Sequence, residues 1–221
     1  MTRSKHVFTK PGRRQPRGEQ VTRRASSSRQ PRKLVLIVCE GKKTEYFYFE
    51  AIRKSEALSN VMIKIEPGAG QAYTLVKNAH HQRNLRAQNR DSLPFDEVWC
   101  VMDREGINEP AHFNKAIDFA KKEKLGLAIS NPCFEYWYLL HFRETSSYFA
   151  HANAVCQALC HEQCMPQYSK NRDVYEQLRS HTESAVERAE RCYNRHPDRD
   201  HDEFPNPSTL VFLLVRRLLQ L

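Results

Sequence analysis

The chain has 221 residues, enough for one good-sized domain or for one domain with a small extension. Hydrophobic residues make up 40% and charged residues 28%, and no apolar run nears the roughly 20 residues that a bilayer span requires, so composition points away from a membrane-embedded or fibrous protein. The net charge of +9 is concentrated: residues 1–33 hold 11 Lys/Arg against Glu19 alone, a net of +10, so residues 34–221 sum to −1 by difference.

That first stretch, rich in Arg, Ser, Pro and Gln, has too few apolar side chains to fold alone and is expected as a disordered basic tail. It either lies along a phosphate backbone, adding salt-dependent affinity, or serves as a solubilising segment. It has no apolar segment of the kind a secretory signal needs. The seven cysteines, Cys39, Cys100, Cys133, Cys156, Cys160, Cys164 and Cys192, are expected as reduced thiols in a cytoplasmic protein.

Residues 34–221 read as one α/β domain. Leu34 to Cys39 is a continuous apolar run, the pattern of a strand buried on both faces. A helix follows, with Tyr46, Phe49, Ile52 and Leu58 on one face. "NVMIKIEPGAG" gives a second strand and a Gly-rich turn, and residues 71–90 a basic helix. A third strand covers Glu97 to Met102, then come a helix in "PAHFNKAIDFAKKEK" and a fourth strand in "LGLAIS". Strands alternating with helices indicate a parallel sheet flanked by helices.

The remainder reads as a helical C-terminal extension. Asn131 as N-cap and Pro132 as first residue start a helix through "SNPCFEYWYLLHF". Further helices are expected near His151 to Cys164 and Asp173 to Tyr193, and a closing helix in "STLVFLLVRRLLQL". In that closing helix Leu210, Leu214, Leu218 and Leu221 can face the sheet. Val211, Phe212, Val215 and Leu219 would offer a docking surface for a partner if exposed.

Candidate chemistry gathers where strands end. Ligands of open parallel sheets bind at the carboxyl ends of strands, near the reversal of strand order. The first strand ends at Glu40, the third at Asp103 and Glu105, the fourth at Ser130 and Asn131. With the first and third strands adjacent, Glu40, Asp103 and Glu105 converge, and crowded carboxylates favour a hard divalent cation such as Mg²⁺. Solvated acids at strand ends are also common, so this pattern alone is of moderate specificity.

Four segments, "IVCEGKKTEYFYF", "FDEVWCVMDREG", "SNPCFEYWYLLHF" and "FPNPSTLVFLLV", in that order, resemble the RloB-like family over roughly Lys33 to Leu219. That family is related in fold to the Toprim domain of topoisomerases, primases and OLD-type nucleases. The resemblance implies a Toprim-like fold with Glu40 as the glutamate after the first strand and Asp103 as the first acid of an Asp-x-Asp pair. Glu105 stands where the second aspartate belongs, which changes the reach of that ligand. The implied activity is Mg²⁺- or Mn²⁺-dependent cleavage of nucleic acid in defence against phage, with transfer RNA as one substrate by analogy. The implied partner is an ABC/SMC-like ATPase, with a second copy of the chain as another candidate. The other reading is a Toprim-like regulatory or binding subunit that has lost catalysis.

Other residues are weaker signals. Lys42, Lys43 and Thr44 can hold a phosphate at a helix start, or Thr44 can simply cap it. Asn131 and Glu135 either face a phosphate or metal, or Glu135 pairs with a basic side chain. His141, about two turns or roughly 9 Å further along, reads as a packing residue. His80, His81, Arg83, Arg86 and Arg90 form a basic stripe that either meets a nucleic-acid backbone or is solvated. Cys156, Cys160, His161 and Cys164 lack the paired close and distant ligands of a zinc knuckle, and on a continuous helix His161 would point away from Cys160 and Cys164.

Overall fold

Val35–Cys39 forms β1, and all five of its residues are buried. The computed structural model describes residues 33–65, 72–104, 110–161, 163–170, 172–195 and 204–221. The basic tail before Lys33, the Gly-rich turn at 67–70 and Glu105 lie outside the described residues. The alternation of a strand splits β1 between two cores: Val35, Ile37 and Cys39 pack on one face of the sheet, Leu36 and Val38 on the other.

Three strand–helix units follow from β1. They run through α1 (Thr44–Ser55) to β2 (Val61–Ile65), α2 (Ala72–Gln88) to β3 (Glu97–Asp103), and α3 (Pro110–Lys122) to β4 (Gly126–Asn131). These strands are parallel, in the order β2-β1-β3-β4. The chain steps from β1 outward to β2 and then returns to the other side of β1 for β3. The reversal therefore falls between β1 and β3, the adjacency on which convergence of Glu40 and Asp103 depends.

Residues of α2 and α3 cover one face, and α1 covers the other together with the C-terminal helices. Those helices are α4 (Glu135–Phe142), α5 (Ala152–Leu159), α6 (Tyr175–Leu178), α7 (Thr182–Asn194) and α8 (Val211–Leu218). The fold is thus a mixed α/β sheet with a helical C-terminal part.

Several expected elements are corrected. On α1 it is Tyr48, not Tyr46, that joins Phe49 and Ile52 in the core. Asn131 does not cap a helix. It ends β4, where it pairs with Ser208 of a short antiparallel strand, β5 (Ser208–Thr209), and the helix starts later, at Glu135. The helix expected from residue 173 is broken, with a turn of 3-10 helix at Arg179–His181 between α6 and α7. The helix expected up to Cys164 stops at Leu159.

The closing helix also differs from expectation. Val211, Phe212 and Val215 are buried by the chain itself, as are Leu210, Leu214 and Leu218. Of the proposed docking surface Leu219 stays exposed, as does Leu213 of α8, so what remains of that surface is small.

The apolar segment that becomes α4 shows how polar side chains are tolerated in a core. Seven of its eight residues, Glu135 through His141, are buried. Each aromatic or aliphatic residue fully buried here contributes about 1.5–3 kcal/mol, and polar groups in such surroundings need hydrogen bonds. His141 bonds through Nδ1 to the Trp137 carbonyl at 2.9 Å, and its ring lies 4.7 Å from that of Trp137, while its Nε2 and the Trp137 Nε1 are buried without a partner among the described residues. Burial pushes its pKa down to about 3, so it packs as a neutral ring. The Arg188 guanidinium donates to the carbonyls of Leu140 and His141, satisfying the end of the helix.

Candidate active site

The carboxyl edge of the sheet brings four acids together. The Glu40 amide donates to the Val101 carbonyl at 3.2 Å, extending the β1–β3 ladder by one residue and fixing Glu40 beside the end of β3. Asp103 closes β3 in register with Ser130. Glu45 stands in the first turn of α1 and Glu135 at the first position of α4, and both are buried. Both helices start just past the ends of their strands, which is why their opening acids overhang the same edge.

A cavity of about 280 Å³ opens between these elements. Glu45, Asp103 and Glu135 line it together with Lys42, Lys43 and Lys170. The acids are the more buried members and the three lysines are exposed, so the cavity has an acidic floor and a basic rim. Gly41 lets the Glu45 carboxylate lie close to the backbone there; a Cβ at that position would displace it.

The electrostatics of the four acids differ. Asp103 is pushed well above the usual carboxylate range, first by burial and then by the charges of Glu45, Glu135 and Glu40. Its Oδ1 is shut off from solvent and has no hydrogen-bond partner among the described residues. A buried polar atom without a partner costs about 1–3 kcal/mol, more for a charge, and such an atom calls for an explanation. Glu45 is pushed up to about 7, chiefly by burial, with the charges of Glu135 and Glu40 adding to it. Burial also raises Glu40.

Glu135 goes the other way. Burial works against its charged form, but Lys170 leads a set of partners that hold it below its usual range. Its Oε1 accepts from the Lys170 ammonium at 3.2 Å, the Tyr168 hydroxyl at 2.9 Å and the Thr44 hydroxyl at 3.3 Å.

A hard cation with oxygen ligands fits this donor set. Mg²⁺ keeps several waters and takes one or two protein carboxylates, and Asp103 Oδ1 is an oxygen awaiting a donor or a cation. Among the described residues, no three His, Cys, Asp or Glu side chains stand close enough to share one metal ion. The acids form a crowd rather than a closed cage. The same holds for Cys156, Cys160, His161 and Cys164, whose helix breaks at Leu159; Cys160 is its exposed C-cap residue.

The other expected site residues divide. Lys42 and Lys43 reach the cavity rim. Thr44 reaches it too, though not as a cap: it is the first residue of α1 and donates to Glu135. Asn131 is tied elsewhere, with its amide donating to the Phe204 carbonyl at 2.6 Å. Glu135 lines the cavity and is at the same time paired with a basic side chain, Lys170. In the basic stripe, Arg83 bonds to Glu123 and Arg86 to the Leu93 carbonyl, so these two serve the fold.

Sequence reasoning passed over Glu45, Tyr168 and Lys170. For Glu45 a signal existed, an acid in the first helical turn five residues after Glu40. For Tyr168 and Lys170, which sit in an irregular segment after α5, no local pattern marks them.

No curated protein and no solved structure matches the chain. The family model described as RloB-like protein matches residues 35–218, a span that takes in every strand and all four acids of the edge, and the chain belongs to the RloB-like family.

Proposed function

We propose that the protein is a Mg²⁺- or Mn²⁺-dependent nuclease that cleaves phosphodiester bonds in nucleic acid. The observation that carries this reading is the buried Oδ1 of Asp103, without a partner among the described residues and surrounded by carboxylates whose charges raise its pKa, beneath a rim of lysines. Acids arranged this way are unfavourable for the fold alone and favourable for a divalent cation. Asp103 is the ligand the arrangement offers, with Glu40 or Glu45 beside it and water filling the rest of the shell, and Glu105 belongs to the pattern implied by kinship to Toprim domains. The cation would polarise a phosphoryl oxygen and stabilise the departing or attacking oxygen.

The chain's own residues do the rest. Lys42 and Lys43, at the start of α1, hold the phosphate backbone by charge, beside a helix N-terminus. Glu45, whose proton is lost near neutrality, is suited to exchange a proton with water or a leaving oxygen. The wider role is defence against phage in the cytoplasm, with transfer RNA as a substrate and an ABC/SMC-like ATPase as the partner that releases activity. A second copy of the chain is the other candidate partner.

One observation favours a second reading, a catalytically silent Toprim-like subunit held by such a partner. Among the described residues no three potential ligands are spaced for one metal ion. Incubation with transfer RNA, other RNA and DNA, with Mg²⁺, Mn²⁺ or EDTA, separates the two. The nuclease reading expects metal-dependent cleavage that Glu40→Gln and Asp103→Asn each abolish while circular dichroism is unchanged. Activity that survives both substitutions would reject the assignment. Wild-type protein without activity, alone and with its ATPase, would favour the silent subunit.

A further inference from the structure

Glu135 stands apart from the other acids of the edge. One of its oxygens, Oε1, takes donors from two segments distant from it in sequence, Thr44 of α1 and the Tyr168–Lys170 stretch between α5 and α6. A carboxylate oxygen offers about two lone-pair sites, so three donors leave it little capacity for a further cation. Lys170 is the converse. Its side chain is 53% exposed against 2% for Glu135, and the ion pair uses one of the three donors of an ammonium. Lys170 also lines the cavity that holds Asp103, Lys42 and Lys43.

We infer that Lys170 is a substrate-contacting residue whose ammonium, held by the buried Glu135, binds a phosphate oxygen of a nucleic-acid strand lying across Lys42 and Lys43. Glu135 is then its positioning residue. The inference rests on reading the cavity as a phosphodiester site. The physical reason for the arrangement is preorganisation. A free lysine loses the freedom of a flexible four-carbon stem when it binds, whereas one already tied to a fixed carboxylate loses less. The pair also steadies the fold, because it holds the buried Glu135 carboxylate in its charged form.

The test is binding of a short fluorescent oligouridylate, and of its DNA counterpart, with Ca²⁺ present to prevent turnover. Lys170→Met is expected to weaken binding about tenfold or more, the loss of one charge-assisted hydrogen bond. Lys170→Arg is expected to recover most of it, and Glu135→Gln to lie between. Lys170→Met should lower the melting temperature, since the buried Glu135 loses its cation, while keeping the wild-type circular dichroism, and its Mn²⁺ affinity should be unchanged or tighter, since a neighbouring positive charge is gone. Wild-type affinity in Lys170→Met overturns the inference, and so does loss of Mn²⁺ binding together with oligonucleotide binding. If wild-type protein binds no Mn²⁺ and cleaves nothing, the nuclease reading fails, and the oligonucleotide comparison still decides the role of Lys170.

Discussion

The two ends of β3 treat an acid in opposite ways. At the start of the strand, Glu97 receives the Arg217 guanidinium through Nε and Nη2 at 2.8–3.0 Å and the Lys33 ammonium at 3.3 Å. Led by the Arg217 bond, these partners hold its carboxyl below the usual range. At the other end, six residues on, Asp103 meets three further acids, and one of its oxygens has no partner. The fold can therefore neutralise a carboxylate, as it does for Glu97 and for Glu135, and for Asp103 at the carboxyl edge it does not. An acid satisfied by its own chain serves stability; one left wanting a cation is available for chemistry.

Substitutions at the two ends should separate those roles, most of all in activity. Asp103→Asn is expected to reduce Mg²⁺-dependent cleavage by about a thousandfold, the scale of losing a preorganised electrostatic group. Glu97→Gln should leave it within about twofold. Stability should reverse the order. Glu97→Gln loses charge-assisted hydrogen bonds and should cost about 1–2 kcal/mol, a fall in melting temperature of roughly 2–8 °C. Asp103→Asn relieves repulsion and should melt at or above the wild-type temperature. A thermal melt of both proteins in EDTA checks this. Equal losses of activity at the two ends would remove the distinction.

A smaller and pH-dependent effect should come from Glu45. In the folded chain it holds its proton up to about pH 7, against an ordinary value of 4.5. Between those values the folded state binds more protons than the unfolded one, so its stabilising contribution is complete below pH 4.5 and is lost as pH rises through 7. The whole contribution is about 3 kcal/mol at most. Glu45→Gln, neutral throughout, should flatten this part of the stability profile in EDTA. A profile that keeps its wild-type slope would assign the pH dependence to other groups.

Much of the frame was legible because its signals are local. The apolar run of β1 announces a strand buried on both sides, and Glu40 and Asp103 are read directly as the residues where β1 and β3 give out. What escaped depends on distant pairing. β5 is two residues long and exists because Ser208 and Thr209 reach back to β4, a partner about 80 residues earlier that no period can reveal. "SNP" has the composition of a helix start, yet that same pairing makes Asn131 a strand residue. Lys170 carries no mark of its own, and its role arises only from a buried Glu135 35 positions before it. Tyr48 took the place of Tyr46 because α1 is aromatic on more than one side, and packing against Phe134, Trp137 and Tyr138 decides which side is covered.

The central claim is that the carboxyl edge binds a divalent cation through Asp103. Calorimetric titration of Mn²⁺ into wild-type protein at pH 7 tests it most directly, with Glu97→Gln as the control from the opposite end of the strand. The account predicts saturable binding that Mg²⁺ competes and that releases protons, since the raised acids must ionise to bind metal. Asp103→Asn should weaken it tenfold or more, and Glu97→Gln should leave it unchanged. Binding of equal strength in Asp103→Asn, or no saturable binding in wild type, would contradict it.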